Sequence, residues 1–102
     1  MAQLYKNDKG FLVIEMNHKE ATEICNFGCI INNTEHHIVC DNCNNLIDKK
    51  DNIYYFAVLN RAFCKECTDD IIANIDRELD DISYEERHYN YYANKLGIES
   101  IK

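Results

Sequence analysis

Cys40-Asp41-Asn42-Cys43 and Cys64-Lys65-Glu66-Cys67 set four cysteines in two tight pairs, with residues 44–63 between them. Two residues between cysteines let a tight turn aim both sulfurs at one point, with backbone N–H groups turned toward the thiolates. Two such pairs complete a tetrahedral set of four sulfurs, which suits one Zn²⁺ held by Cys40, Cys43, Cys64 and Cys67. Four thiolates close the coordination shell and leave no position for water or substrate. The metal is therefore expected to be structural and the protein not to be an enzyme. Two disulfides would need an oxidising compartment. The N-terminal Met1-Ala2-Gln3-Leu4-Tyr5-Lys6 has no apolar segment of the secretory kind. A thioredoxin-like redox pair needs one such motif in a βαβ context. An iron centre shares the same four-sulfur ligand set.

The flanks of the two pairs suit this reading. Ile53-Tyr54-Tyr55-Phe56-Ala57-Val58-Leu59 is a β-rich run, Asn60-Arg61 turns it, and Ala62-Phe63 leads into the second pair. A hairpin thus lies between the pairs. A helix is expected over 67–82, opening at the second pair, where its dipole partly offsets the thiolate charge. Within it Ile71, Ile72, Ile75, Leu79 and Ile82 share an arc about 100° wide. Asp69 and Asp70 occupy its first turn. A second helix is expected from Ser83, capped through Glu86, to Gly97, with Ile98 packing behind the glycine. Knuckle, hairpin and helix in this order resemble a treble-clef zinc finger, and the resemblance covers residues 38–82.

Upstream, Asn7-Asp8-Lys9-Gly10 makes a turn inside a hairpin over 2–16. Asn17 and Glu20 start a short helix over 18–26, which Gly28 would close. Cys29–Ile31 and His36–Val39 read as extended. The expected fold class is α+β, in one domain of 1–102. It comprises a hairpin and short helix (1–37), the finger (38–82) and a tyrosine-rich C-terminal helix (83–102). The remaining cysteines, Cys25 and Cys29, lie near His36 and His37. They are read either as partly buried thiols or as a looser second metal set. His88, among tyrosines on one helix side with Tyr84, Tyr91, Tyr92 and Leu96, is read as packing. Tyr84, Tyr89, Tyr91 and Tyr92 either cover the finger or form a contact patch.

With 46 % hydrophobic and 28 % charged residues, 7 Tyr and 4 Phe, the chain has the means to build a core and is not read as disordered. Its net charge is −7. Phosphate binding requires Lys and Arg, so direct nucleic-acid binding and anionic membranes are not expected. The alternative, a nucleic-acid-binding or transcription-regulating finger, would use Lys49, Lys50, Arg61 and Lys65. Asp41, Asp48, Asp51 and Glu66 cancel these within the same segment. The natural partner of an acidic chain is a protein with a basic surface. The residues expected to meet it are Asp70, Asp76, Glu78, Asp80, Asp81, Glu85 and Glu86.

Cys40-Asp41-Asn42-Cys43, Ala57-Val58-Leu59-Asn60, Cys64-Lys65-Glu66-Cys67 and the tail Tyr84-Glu85-Glu86-Arg87 with Tyr91-Tyr92 resemble a group of small bacterial and phage treble-clef zinc proteins. Cys25 and Cys29 lie outside that pattern. Asn, Ile, Lys and Tyr are abundant, as AT-rich coding of a mobile element would produce. In size, charge and zinc the chain is similar to zinc-containing phage anti-CRISPR proteins. That resemblance implies an inhibitor of a Cas9-type nuclease, acting in the cytoplasm of a bacterial host by blocking nucleic-acid loading or cleavage.

Overall fold

The computed structural model describes residues 2–24, 29–32, 35–48, 50–75 and 79–100. Of residues 22, 24, 29–32, 35–37, 79 and 80 it describes the backbone alone. Four strands form one antiparallel sheet, β1 (Gln3–Tyr5), β2 (Val13–Met16), β5 (Ile53–Phe56) and β6 (Arg61–Phe63), in the order β1-β2-β5-β6. Two more, β3 (Cys29–Asn32) and β4 (Glu35–Ile38), pair with each other as a separate two-stranded sheet. The helices are α1 (His18–Ile24), α2 (Lys65–Asn74) and α3 (Leu79–Leu96). The α+β class and the treble-clef order of knuckle, hairpin and helix are thus present. The N-terminal hairpin also extends the finger's hairpin into one sheet, because Ile14 pairs with Tyr55 and Val13 with Phe56.

Short-range chemistry accounts for the ends of the elements. Gly10 takes φ +72° in the first turn, a region open to glycine without strain. At the start of α1 the Glu20 N–H donates to Asn17 Oδ1 (2.8 Å), and the Asn17 N–H donates to Glu20 Oε1 (3.0 Å). This is the reciprocal cap that the spacing predicts. Gly97 takes φ +75°, and the Ile98 N–H reaches back to the Ala93 carbonyl at 2.9 Å, closing α3 as expected. The expected end of the short helix at Gly28 lies outside the described residues.

The sheet is covered on both faces. Tyr55 projects to one side, where its ring lies 4.5 Å from that of Tyr92 on α3. Tyr54 projects to the other, where Lys65 of α2 approaches its ring. Double cover explains why all four residues of β5 are buried and why that run is apolar without alternation. The Phe56 and Phe63 rings meet edge to face at 5.1 Å. Among the described residues no helix is long and apolar enough to cross a membrane.

The expected helix over 67–82 is corrected. Helix α2 already begins at Lys65 and ends at Asn74, with Ile75 in extended backbone (φ −95°, ψ 142°). Lys9 Nζ donates to the carbonyls of Ala73 (3.1 Å) and Ile75 (3.3 Å), so a lysine from the first hairpin turn answers the open end of the helix. Ile82 consequently belongs to α3 and is 40 % exposed, rather than continuing the stripe of Ile71, Ile72 and Ile75. Ser83 is an interior residue of α3 and not its cap, because Leu79 already lies in that helix.

The buried side of α3 carries Glu85, Tyr89, Tyr92 and Ala93, while Tyr91 is 47 % exposed. The expected side of Tyr84, His88, Tyr91, Tyr92 and Leu96 is therefore turned. Glu85 is the reason: it is almost fully buried, and its Oε2 accepts the Leu12 N–H at 2.9 Å. That N–H lies just before β2 and has no ladder partner. His88 is a packing residue as read, its ring 4.0 Å from that of Tyr84. Glu85→Ala is expected to orphan the Leu12 N–H and cost about 1–3 kcal/mol in urea denaturation, with Glu85→Gln losing less. An unchanged midpoint for Glu85→Ala would contradict the assignment.

Candidate metal centre

The sulfurs of Cys40, Cys43, Cys64 and Cys67 all lie within 4.8 Å of one another. A tetrahedron of sulfurs about 2.3 Å from a central Zn²⁺ has edges of about 3.8 Å. The Cys43 and Cys64 sulfurs, 4.0 Å apart, match such an edge and are far too distant for a disulfide. All four are free thiols. The set fits one structural zinc ion, as the spacing predicts.

Each pair is presented by a different element. The first lies in a miniature hairpin. The Ile47 N–H meets the Ile38 carbonyl (2.8 Å), the Cys40 N–H meets the Asn45 carbonyl (3.0 Å) and the Asn44 N–H meets the Cys40 carbonyl (2.9 Å). Asn44 closes it at φ 61°, the left-handed region that asparagine tolerates better than most residues. The second pair opens α2: Cys64 is its N-cap and Cys67 lies in its first turn. Cys64 has no side-chain cap hydrogen bond. Its sulfur belongs to the metal set, and the helix dipole acts on the cluster.

The surroundings favour negative sulfur. The Asn42 N–H donates to Cys40 Sγ (3.4 Å), and Asn42 Nδ2 donates to Cys67 Sγ (3.3 Å). Burial would raise the Cys40 thiol, but the N–H groups of Cys43, Cys64 and Asn42 outweigh it and bring the thiol down to about 7. Burial pushes Cys64 up to about 12, with the neighbouring sulfurs adding to the rise. Cys67 is also raised: burial and the sulfurs of Cys40 and Cys43 outweigh the lowering by the Asn42 amide and Cys64. One thiolate is thus stabilised, and it opposes ionisation of its neighbours until a cation compensates.

Asp41 and Asn42 are the residues that spacing alone does not assign. The Asp41 N–H donates to the Ala62 carbonyl (3.0 Å), and Asp41 Oδ2 accepts the Ala62 N–H (3.1 Å). The signal was present as two short polar side chains inside the first pair, able to bond backbone and sulfur nearby.

The acidic residues do not form one helix face. Asp70 is exposed on α2, whereas Asp81 and Glu86 are half-buried on α3. Glu85 is interior and is withdrawn from the partner-binding set, because its carboxylate serves the Leu12 N–H. Asp76 and Glu78 lie outside the described residues, as does the side chain of Asp80. Of the second metal set, Cys25 lies outside them, and Cys29, His36 and His37 are described only as backbone of β3 and β4. Among the basic residues, Lys65 Nζ lies between the Tyr5 hydroxyl (2.7 Å) and Asp69 Oδ1 (3.1 Å), so its charge is already answered locally.

No protein-family model, curated protein or solved structure matches this chain significantly. The four-sulfur geometry therefore carries the functional reading by itself.

Zinc binding near neutral pH has to expel at least the Cys64 and Cys67 protons, both held above the ordinary thiol range. Addition of Zn²⁺ to metal-free protein in weak buffer is expected to acidify the solution up to a 1:1 ratio. Acidification should in the end release the metal, because protons compete with Zn²⁺ for the four thiolates. Binding without proton release would contradict the thiol assignments.

Proposed function

We propose that this protein is a non-enzymatic protein-interaction module in which one structural Zn²⁺ holds an acidic helix in place for a partner with a basic surface. The observation that carries the reading is the four-sulfur set at the N-terminus of α2. It supplies all four ligands that a tetrahedral structural zinc takes and leaves none for substrate. Because α2 starts on its own metal ligands, the ion would fix that helix against the knuckle. Glu66, Asp69 and Asp70 are exposed along it, with Asp69 answered by Lys65. The net charge of −7 favours a basic partner through steering and complementarity.

The finer form of the proposal is a phage-encoded anti-CRISPR inhibitor of a Cas9-type effector in the bacterial cytoplasm. Its support is the likeness in motif order, size, charge and zinc described above. Such effectors hold their heteroduplex in a positively charged channel, a surface of the right sign for an acidic helix to obstruct.

Zinc-loaded protein titrated against a Cas9-type effector is expected to bind and to suppress target cleavage. The double reversal Glu66→Lys with Asp70→Lys should weaken binding at least about tenfold, with zinc content and circular dichroism unchanged. Undiminished binding by the double variant would remove this face. Retention of nucleic acid instead, lost in modest salt, would favour the nucleic-acid-binding alternative.

A further inference from the structure

We propose that Asp41 is the positioning residue of the metal centre, setting the two cysteine pairs in register through its reciprocal hydrogen-bond pair with Ala62. The proposal rests on the zinc reading above and deepens it.

Among the described residues strand β6 is the last of the sheet, paired with β5 alone, and Ala62 stands opposite Tyr55 in that ladder. Ala62 is fully buried, so its N–H and C=O both need partners. Both find Asp41: the Asp41 N–H donates to the Ala62 carbonyl at 3.0 Å, and Asp41 Oδ2 accepts the Ala62 N–H at 3.1 Å. A neighbouring strand would have offered an N–H and a carbonyl. Asp41 offers an N–H and a carboxylate oxygen, and so stands in for one residue of a fifth strand.

The location of this clamp gives it a role beyond edge protection. Asp41 follows Cys40 directly, and Ala62 lies two residues before Cys64. One two-bond contact therefore joins the backbone beside each ligand pair, although residues 44–63 separate the pairs along the chain. Asp41 itself is no ligand, since its carboxylate lies outside the four-sulfur group. Its reach is specific. Asparagine keeps an acceptor oxygen at the same distance, whereas alanine removes it.

The test is zinc affinity of the full chain, measured by competition with a chelator, together with the visible absorption of the Co²⁺-substituted protein. Asp41→Ala is expected to weaken zinc binding by about 10–100-fold, the usual loss when a residue supporting metal ligands is removed. It should also broaden the tetrahedral Co²⁺ bands. Asp41→Asn should stay within a few-fold of the parent and keep the bands sharp. Ile14→Val, a core change remote in sequence from the centre, controls for general loss of stability. A loss in Asp41→Ala no larger than in Ile14→Val would overturn the proposal, as would equal losses in Asp41→Ala and Asp41→Asn. A parent protein that takes up no metal would instead defeat the zinc reading itself, in the same titration and before any variant is compared.

Discussion

Four sulfurs from two distant stretches of chain must converge on one point, and most of the structure around them serves that demand. The knuckle curls Cys40 and Cys43 inward through its backbone hydrogen bonds. Helix α2 begins on Cys64 and Cys67. Between them, β5 and β6 carry the chain out and back, so that the second pair returns beside the first. Convergence without a cation is costly, because one thiolate resists the next. Burial raises the Cys64 thiol first of all, and that cost adds to the rise. A divalent ion reverses its sign. Structural zinc binding is worth about 10–16 kcal/mol in small fingers. That is comparable with the whole stability of a typical domain, about 5–15 kcal/mol. The finger is thus expected to depend on its metal.

The other half of the fold rests on burial. The N-terminal hairpin lends two strands to the finger's hairpin, giving a four-stranded sheet wide enough to be covered on both sides. Tyr55 against Tyr92 secures one side, and the Phe56–Phe63 pair belongs to the other. Two long-range polar links then lock the helices to this sheet. Lys9 answers the end of α2, and Glu85 answers the backbone of Leu12. Lys9 does so from the surface, whereas Glu85 is drawn into the interior.

Those links mark where sequence reading succeeds and where it fails. The metal ligands, the turn at Gly10, the cap of Asn17 and Glu20 and the stop at Gly97 are governed by neighbours a few residues away, so spacing reveals them. The break after Asn74 is not of that kind. Nothing near Ile75 forbids a helix, and a lysine 66 residues upstream stabilises the end. Glu85 looked like part of an acidic surface because its partner is 73 residues away. Asp41 looked like a charge cancelling nearby lysines, whereas its carboxylate serves a strand edge. Local patterns determine where elements begin. Distant polar partners decide where some of them end and which charges go inside.

Everything above turns on a closed four-sulfur zinc centre at Cys40, Cys43, Cys64 and Cys67. X-ray absorption at the zinc edge of the purified protein tests it most directly, read together with the metal content. One zinc per chain is expected, with four sulfur scatterers at about 2.3 Å. Iron in its place, a shell containing nitrogen or oxygen, or protein that is folded without metal would contradict it.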